Sequence, residues 1–198
     1  SMTKPVVSIG LMMLYEKGLF ELDENVSKYI HQFNDLVVYD STKNTRPENQ
    51  IKIIDLLRHS SGIGYGWSDN QYLNSMYSEI WESKNNAEFV DKVSKIPLFT
   101  NPNTEWRYGV NTDICGYLIE VLSGQPLDQY LSESIFEPLG MTDTHFKLPD
   151  VKINRFTSNY VFDENSKKLN RVDKFDSGSY SNVTWFGGGG GLVSTTKD

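Results

Sequence analysis

The sequence predicts an α+β fold in which helices occupy most of the chain and strands only a small part. Helical periodicity with start and stop signals runs through residues 1–149. Strand-like alternation occurs only after that point, around a polar turn. We therefore divide the 198 residues into a mainly helical region (1–149), a hairpin insertion (150–184) and a Gly-rich segment (185–198).

The first predicted helix covers residues 6–17 and is apolar on nearly all sides, which is typical of a buried helix. Gly18 is placed to end it. A short apolar segment at 51–58 follows a polar loop, and an irregular Gly-rich loop comes next with Tyr65 and Trp67 in it. These two aromatic side chains either line a pocket or cover the core from outside.

Two further helices flank a turn-rich segment. The helix at 87–95 stops before Pro97, and the helix carrying Ile114 to Leu122 is closed by Gly124. Tyr108 therefore lies on a loop just before a helix, where its phenol projects into a cleft or sits at an interface with a bonded hydroxyl. The next helix begins at Pro126 and is expected to break at Pro138 and Gly140.

Strand alternation at 156–162 and 169–172 predicts a hairpin, and the small residues of 177–182 predict a loop. A run of five glycines, Gly187 to Gly191, then lets the backbone approach another backbone or a ligand closely. The run is not a phosphate loop, because no Gly-Lys-Ser/Thr follows it.

Composition excludes several classes of function. The hydrophobic share is 38% and the formal net charge is −7 without a Lys/Arg cluster, so we expect neither nucleic acid nor an anionic membrane as a partner. No stretch is apolar and long enough to span a bilayer. Cys115 is the single cysteine and fits a core position. The three histidines are scattered without metal-ligand spacing, so we predict no metal and no cofactor.

The chain opens with a Ser-x-x-Lys pair, Ser1-Met2-Thr3-Lys4-Pro5. A serine hydroxyl needs a base within hydrogen-bond reach to become a nucleophile, and residues three apart share one face of a helix. Lys4 can therefore act as the base for the Ser1 hydroxyl. The helix N-terminus also stabilises a developing oxyanion. The alternative is a capping serine followed by a solvated lysine.

Taken together, the motifs make the chain resemble the serine β-lactamase and penicillin-binding-protein superfamily, in the branch of class C β-lactamases, DD-peptidases and related esterases. The matching stretches follow the order of that family along nearly the whole chain. They are Ser1 to Pro5, Leu56 to Gly62 (with Ser60 for the family's Thr), Trp106 to Tyr108, Gly116 to Gly124, Glu137 to Thr144 and Gly188 to Thr195.

The resemblance implies a β-lactamase/transpeptidase-like fold and a serine hydrolase that forms an acyl-enzyme from an ester, β-lactam or peptide. Ser1 would be the nucleophile, with Lys4 and Tyr108 as alternative proton acceptors. The expected substrate contacts are Tyr65, Trp67, Val110, Asn111, Gly189 and Gly190.

The sequence departs from the family at two motifs. Where the β-lactamases have Tyr-x-Asn, this chain has Tyr108-Gly109-Val110 and places Asn111 one position late, which favours esters. The third motif and the strands before the nucleophile are absent, so we expect the middle of a longer enzyme, with little of its central antiparallel sheet. A terminal Ser-Met also occurs as a cloning remnant, but the fit to the family favours a native Ser1.

Three alternatives remain open. The chain could be a catalytically inert fragment, or a binding protein that keeps the pocket of the same fold. It could also be an N-terminal nucleophile hydrolase that uses the α-amine of Ser1, although such a nucleophile is expected to begin a strand. Apolar surface facing the missing sheet would in addition favour self-association.

Overall fold

Helices dominate the computed structural model, which describes residues 1–172 and 177–198. The α-helices are α1 (Thr3–Glu16), α2 (Ile53–Leu57), α3 (Gln71–Ser78), α4 (Asn86–Val93), α5 (Asn111–Ser123), α6 (Leu127–Leu131), α7 (Glu137–Leu139) and α8 (Ser177–Ser181). Short 3-10 segments lie at Val26–Lys28, His31–Asp35, Glu79–Glu82 and Asp150–Arg155, and a π-helical turn, Ser132–Phe136, joins α6 to α7. The predominance of helices agrees with the predicted class.

The core is organised around the packing of α1 on α5 and α6. Gly10 allows this close approach, because a Cβ at that position would lie 2.7 Å from the Leu131 side chain. The Tyr130 hydroxyl donates a hydrogen bond of 3.1 Å to the Gly10 carbonyl. These contacts fix the middle of α1 relative to α6.

The prediction that the first helix is buried all round is wrong for this structure. Val7 and Leu11 are fully buried against α5 and its neighbours, whereas the Ile9 side chain is 56% exposed. In the part of the chain that the structure describes, α1 has packing partners on one side only. Its apolar outer side therefore faces solvent.

Glycines end three of the helices as predicted. Gly18, Gly124 and Gly140 all have positive φ angles (70°, 71° and 65°), the left-handed conformation that terminates a helix. The predicted break at Pro138 is wrong, since α7 includes this residue and ends at Leu139 with Gly140 as its C-cap. A proline in the first turn of a helix removes no intrahelical hydrogen bond, so it is tolerated there.

The predicted hairpin is present and shorter than expected. Strand β1 (Tyr160–Asp163) pairs antiparallel with β2 (Lys168–Arg171), and the Asp163 carboxylate accepts the Asn165 N–H to close the turn. The predicted loop at 177–182 is instead mostly α8. Residues 173–176 of the hairpin insertion lie outside the described part of the chain.

Candidate active site

The first turn of α1 brings Ser1 and Lys4 together. The Lys4 Nζ donates to the Ser1 Oγ at 3.3 Å and to the carbonyl oxygen of Gly189 at 2.6 Å. The helix cap is Met2, which makes no side-chain capping bond. Ser1 therefore does not act as a cap, and Lys4 is held between the serine and the glycine run instead of extending into solvent.

Tyr108 is positioned by a backbone segment that runs alongside residues 59–64. The Arg107 N–H donates to the His59 carbonyl at 2.8 Å, and the Val110 N–H donates to the Gly64 carbonyl at 3.1 Å. Gly109 is required between them, because a Cβ there would lie 2.1 Å from the Ile63 carbonyl oxygen. This segment presents the Tyr108 ring to Lys4, whose Nζ is 5.4 Å from the ring centroid.

Two stacked phenols next to Lys4 have opposite pKa shifts. Hydrogen bonding by Lys4, and then by Ser1, lowers the pKa of Tyr108 despite the opposing effect of burial. Tyr65 stacks on it with 5.5 Å between ring centroids and an interplanar angle of 6°. Burial, followed by the charge of Asp113, raises the pKa of Tyr65 to about 12. Of the two, Tyr108 gives up its proton more readily.

An aromatic shelf extends from Tyr108 on both sides and consists of Tyr65, Trp67, Trp81, Trp106 and Tyr108. Tyr65 stacks on Trp67 at 4.4 Å and on Trp81 at 5.5 Å, and Trp106 stacks on Tyr108 at 6.3 Å. Trp67 and Trp106 are 77% and 70% exposed. Their faces are open in this structure, so neither indole acts as a cover of the hydrophobic core.

His59 supports Tyr108 from behind. Its ring centroid lies 4.9 Å from that of Tyr108, and its Nδ1 is 3.0 Å from the Asn111 amide nitrogen. Ser61 donates to the Asn111 amide oxygen, which orients the amide so that Nδ1 of His59 accepts. Burial, and then the charge of Lys4, lowers the pKa of His59. The ring is thus a neutral hydrogen-bond acceptor that supports the site.

Val110 and Asn111 do not lie where substrate contact was predicted. Both side chains are fully buried. Val110 belongs to the hydrophobic core, and Asn111 is bound by Ser61 and His59. The α5 N-terminus turns both of them inward, because the helix starts at Asn111 and its first turn packs under the glycine run.

The glycine run lies on the first turn of α5. A Cβ at Gly188 would be 2.2 Å from the Thr112 carbonyl oxygen, so only glycine fits there. The Leu192 N–H donates to the Thr3 Oγ1 at 3.1 Å, which ties the end of the run to α1. Of the two predicted contact residues, Gly189 is buried and Gly190 is partly exposed with open space around its Cα.

Asp113 was missed by sequence reasoning. Its Oδ1 accepts the Gly189 N–H at 2.8 Å, and burial raises its pKa to about 6 although that bond and the charge of Lys4 lower it. The only signal in the sequence is a carboxylate five residues after Tyr108, inside an apolar helical pattern.

One cavity in the described part of the chain lies away from the proposed site. That cavity has a volume of about 460 Å³ and is lined by residues such as Lys152, Arg155 and Tyr180, none of which was predicted for the site. Within residues 1–172 and 177–198, no cluster of three or more His, Cys, Asp or Glu side chains is placed to hold a metal ion. No helix in these ranges has the length and apolar character required to cross a membrane.

Comparison with known proteins identifies relatives that transfer acyl groups. A methylbutanoyltransferase acting on ML-236A carboxylate, from Penicillium citrinum, is 34% identical over 169 residues, which are 78% of this chain and 39% of that protein. Simvastatin synthase from Aspergillus terreus superposes with a TM-score of 0.80 at 28% identity, over 97% of this chain and 49% of that chain.

A third relative extends the comparison to hydrolases. EstCE1, described as a hydrolase with promiscuous acyltransferase activity, has the same fold with a TM-score of 0.83 at 23% identity, over 100% of this chain and 55% of that chain. The chain thus spans about half of the length of these relatives or less. The Beta-lactamase family model matches residues 1–198. The chain therefore belongs to the Beta-lactamase family and has its β-lactamase/transpeptidase-like fold.

Proposed function

We propose that this chain carries the nucleophile and proton-transfer groups of a serine enzyme that moves acyl groups from esters. The observation that carries the proposal is the position of the Lys4 Nζ, which bonds the Ser1 Oγ and the Gly189 carbonyl beside Tyr108. Relatives in the family include acyltransferases and hydrolases, which supports acyl transfer as the reaction class.

In the proposed reaction the Ser1 Oγ attacks the carbonyl carbon of an ester while its proton passes to a neighbouring base. The tetrahedral intermediate then collapses, the alcohol leaves with a proton returned by that base, and the acyl group stays on Ser1. Attack by water completes a hydrolysis, and attack by a second alcohol completes an acyl transfer. An amide would follow the same steps with an amine as the leaving group.

Tyr108 is the better supported of the two candidate bases. Because its pKa is lowered, a larger fraction of Tyr108 is phenolate at neutral pH than would be found for an isolated tyrosine. Lys4, which donates to Ser1 and Gly189, is placed to stabilise that phenolate as an ammonium ion. Lys4 as the base is the alternative, and it requires the amine to give up its proton first.

The surroundings of Ser1 favour an ester with an apolar acyl or alcohol group. The segment after Tyr108 offers no free carboxamide, since Val110 is in the core and Asn111 is bonded to His59. The exposed indole of Trp67, which stacks on Tyr65, instead provides apolar contact area next to Tyr108. Of the predicted contacts, we therefore retain Tyr65, Trp67 and the partly exposed Gly190.

Covalent labelling of Ser1 tests the proposal. We expect a fluorophosphonate probe to modify Ser1, as mapped by mass spectrometry, and the rate to fall by about 10²- to 10⁴-fold in Lys4→Ala, because the proton-transfer partner is lost. Lys17→Ala, at the other end of α1, is the matched control and should react as the parent does.

Each other outcome identifies a different function. Labelling that survives Lys4→Ala but is lost when the α-amine is blocked would indicate an N-terminal nucleophile hydrolase. A folded chain that never reacts would indicate an inert fragment or a binding protein. An inert fragment or a binding protein is a specific alternative, because the chain covers only 39% of the length of an acyl-transferring relative.

A further inference from the structure

A buried carboxylate lies beneath the proposed site and has no role in the reaction described so far. Asp113 is 3% exposed and belongs to the first turn of α5. Its Oδ1 accepts one hydrogen bond, from the Gly189 N–H, whereas its Oδ2 has no hydrogen-bond partner among the described residues. Burying a carboxylate oxygen without a hydrogen-bond donor is energetically unfavourable, so the presence of this carboxylate calls for a functional explanation.

Gly189 connects this carboxylate to Lys4. The N–H of Gly189 points to Asp113, and the carbonyl of the same residue accepts the Lys4 Nζ at 2.6 Å. The backbone of Gly189 lies directly against the carboxylate, because a Cβ on Gly189 would lie 2.3 Å from the Asp113 Oδ2. The position of the carbonyl that holds Lys4 is therefore set by the carboxylate of Asp113.

The charges around Asp113 agree with such a connection. The ammonium of Lys4 favours the ionised carboxylate, while burial opposes it. The other titratable groups that sense this carboxylate are Tyr65, Tyr108 and Cys115, and its charge raises the pKa of each. Lys4 is thus the positive group that faces Asp113 across the glycine run.

We propose that Asp113 is a positioning residue that fixes Lys4 for proton transfer at Ser1 by holding Gly189 in place. This inference rests on the proposed function and adds a residue to it. An ionised Asp113 holds the Gly189 N–H more strongly than a neutral acid does, because a charged acceptor makes a stronger hydrogen bond. Protonation of Asp113 then loosens the acceptor of Lys4 and slows the acylation of Ser1.

The connection is testable without catalysis by NMR of the chain carrying ¹³Cε-labelled lysine, with Lys4 assigned from Lys4→Ala. We expect the Gly189 amide and the Lys4 Cε signals to share one inflection near pH 6. Asp113→Asn, which keeps an acceptor and cannot ionise, should abolish both inflections. Asp55→Asn is the matched control, since Asp55 is also buried in the first turn of a helix, and both inflections should persist there.

The rate of Ser1 labelling then tests the functional part. We expect Asp113→Ala to slow labelling by about 10- to 100-fold, as small misplacements of catalytic groups do. Asp113→Asn should label at pH 8 at about the lower rate that the parent shows below pH 6, because it mimics the neutral acid, and its rate should show no inflection near pH 6. Because the Asn variant preserves the acceptor, it remains informative even where the Ala variant does not fold.

Two results would overturn the inference. One is a Lys4 signal that does not respond to pH near 6 or to Asp113→Asn, and the other is a folded Asp113→Ala that labels at the parental rate. If the two signals share the inflection but Ser1 never reacts, the result would contradict the proposed function. It would still support the physical link between Asp113 and Lys4.

Discussion

Two buried aspartates occupy similar positions in helices and differ in their partners. Asp55 accepts bonds from the Lys52 N–H at 2.9 Å, the Ser60 hydroxyl at 2.9 Å and the Arg58 guanidinium at 2.7 Å. Among the described residues, Asp113 accepts one hydrogen bond, from the Gly189 N–H. Ionised Asp55 is therefore compensated, whereas ionised Asp113 retains much of the unfavourable free energy of burying a charge.

This difference predicts a pH-dependent stability with an unusual sign. The pKa of Asp113 rises from its ordinary 3.8 to about 6 on folding, so between these values the folded chain keeps a proton that the unfolded chain has lost. The contribution of Asp113 to the free energy of unfolding thus falls as the pH rises through this window, by of order 3 kcal/mol, and does not return above it.

Asp113→Asn should therefore stabilise the chain at pH 7.5, by about 1–3 kcal/mol, and remove this part of the pH dependence. Urea unfolding of the parent and the variant at pH 4.5 and 7.5 measures both effects. Asp55→Asn serves as a control of opposite sign, with an expected loss of about 1–3 kcal/mol, because it weakens bonds to three partners. A destabilised Asp113→Asn at pH 7.5 would show that the charge of Asp113 is well compensated.

At the residue scale, local spacing predicted some of the site and missed the rest. Ser1 and Lys4 could be paired from the sequence because contacts three residues apart on a helix are local. Asp113 could not be assigned a partner, since Gly189 is 76 residues away along the chain. Val110 was assigned to the substrate from a motif position, but its side chain direction depends on where α5 begins and on what packs against it.

Elements meet at the glycine run, where α1 and α5 approach the same stretch of backbone. The run contacts the first turn of α1 through Thr3 and Lys4, and the first turn of α5 through Asp113. Adjacent glycines in it nevertheless have different surroundings. A Cβ built on Gly189 would lie 2.3 Å from the Asp113 Oδ2, whereas nothing lies within 4 Å of a Cβ built on Gly190.

Two alanine substitutions test the difference between the surroundings of Gly189 and Gly190. Gly189→Ala should displace the run from Asp113, lower stability by about 1–3 kcal/mol as overpacking does, and slow Ser1 labelling. Gly190→Ala should change stability by about 0.5 kcal/mol or less. Thermal unfolding and fluorophosphonate labelling of both variants give the comparison, and equal behaviour of the two would mean that the run does not contact α5 as described.

Helix ends were the most predictable feature at the element scale. Gly18, Gly124 and Gly140 end their helices by adopting a conformation that other residues reach with difficulty. The hairpin was predicted from alternation and its pairing register was not, because both strands are largely exposed and no buried face fixes their limits. The turn at Asp163 makes local hydrogen bonds that define it.

For the whole molecule, the uncovered side of α1 is the feature with the clearest consequence. Met2, Ile9 and Leu19 are exposed apolar side chains along this helix and just beyond its end. Exposed apolar surface promotes association. The sequence analysis predicted apolar surface facing the missing sheet, but it expected α1 itself to be buried on all sides.

We expect the chain to self-associate in solution and Ile9→Lys to reduce the association, because a charge on this side is costly to bury. Light scattering at several protein concentrations measures the mass directly. Leu139→Lys is the control, as Leu139 is 72% exposed on a different helix and should leave the mass unchanged. A monodisperse monomer of the parent chain would contradict the expectation.

The overall architecture was predictable because the motifs occur in the order of the family along nearly the whole sequence. The fold class and the family follow from that order, and both are confirmed by the family match. The face of each helix that finds a partner could not be predicted in the same way. Periodicity shows that α1 is apolar, and only the tertiary arrangement shows that Val7 is covered while Ile9 is not.

The hydrogen bond between Lys4 and Gly189 joins residues 185 positions apart, so it closes nearly the entire chain into one loop. Contacts of such sequence separation form late, because the entropy of closing the loop must be overcome first. Reactivity at Ser1 would then appear only after the glycine run has docked on α5. A fluorophosphonate pulse during refolding would therefore measure the fraction of molecules in which the glycine run has docked. Labelling of Ser1 would in this way report the rate of a late folding step.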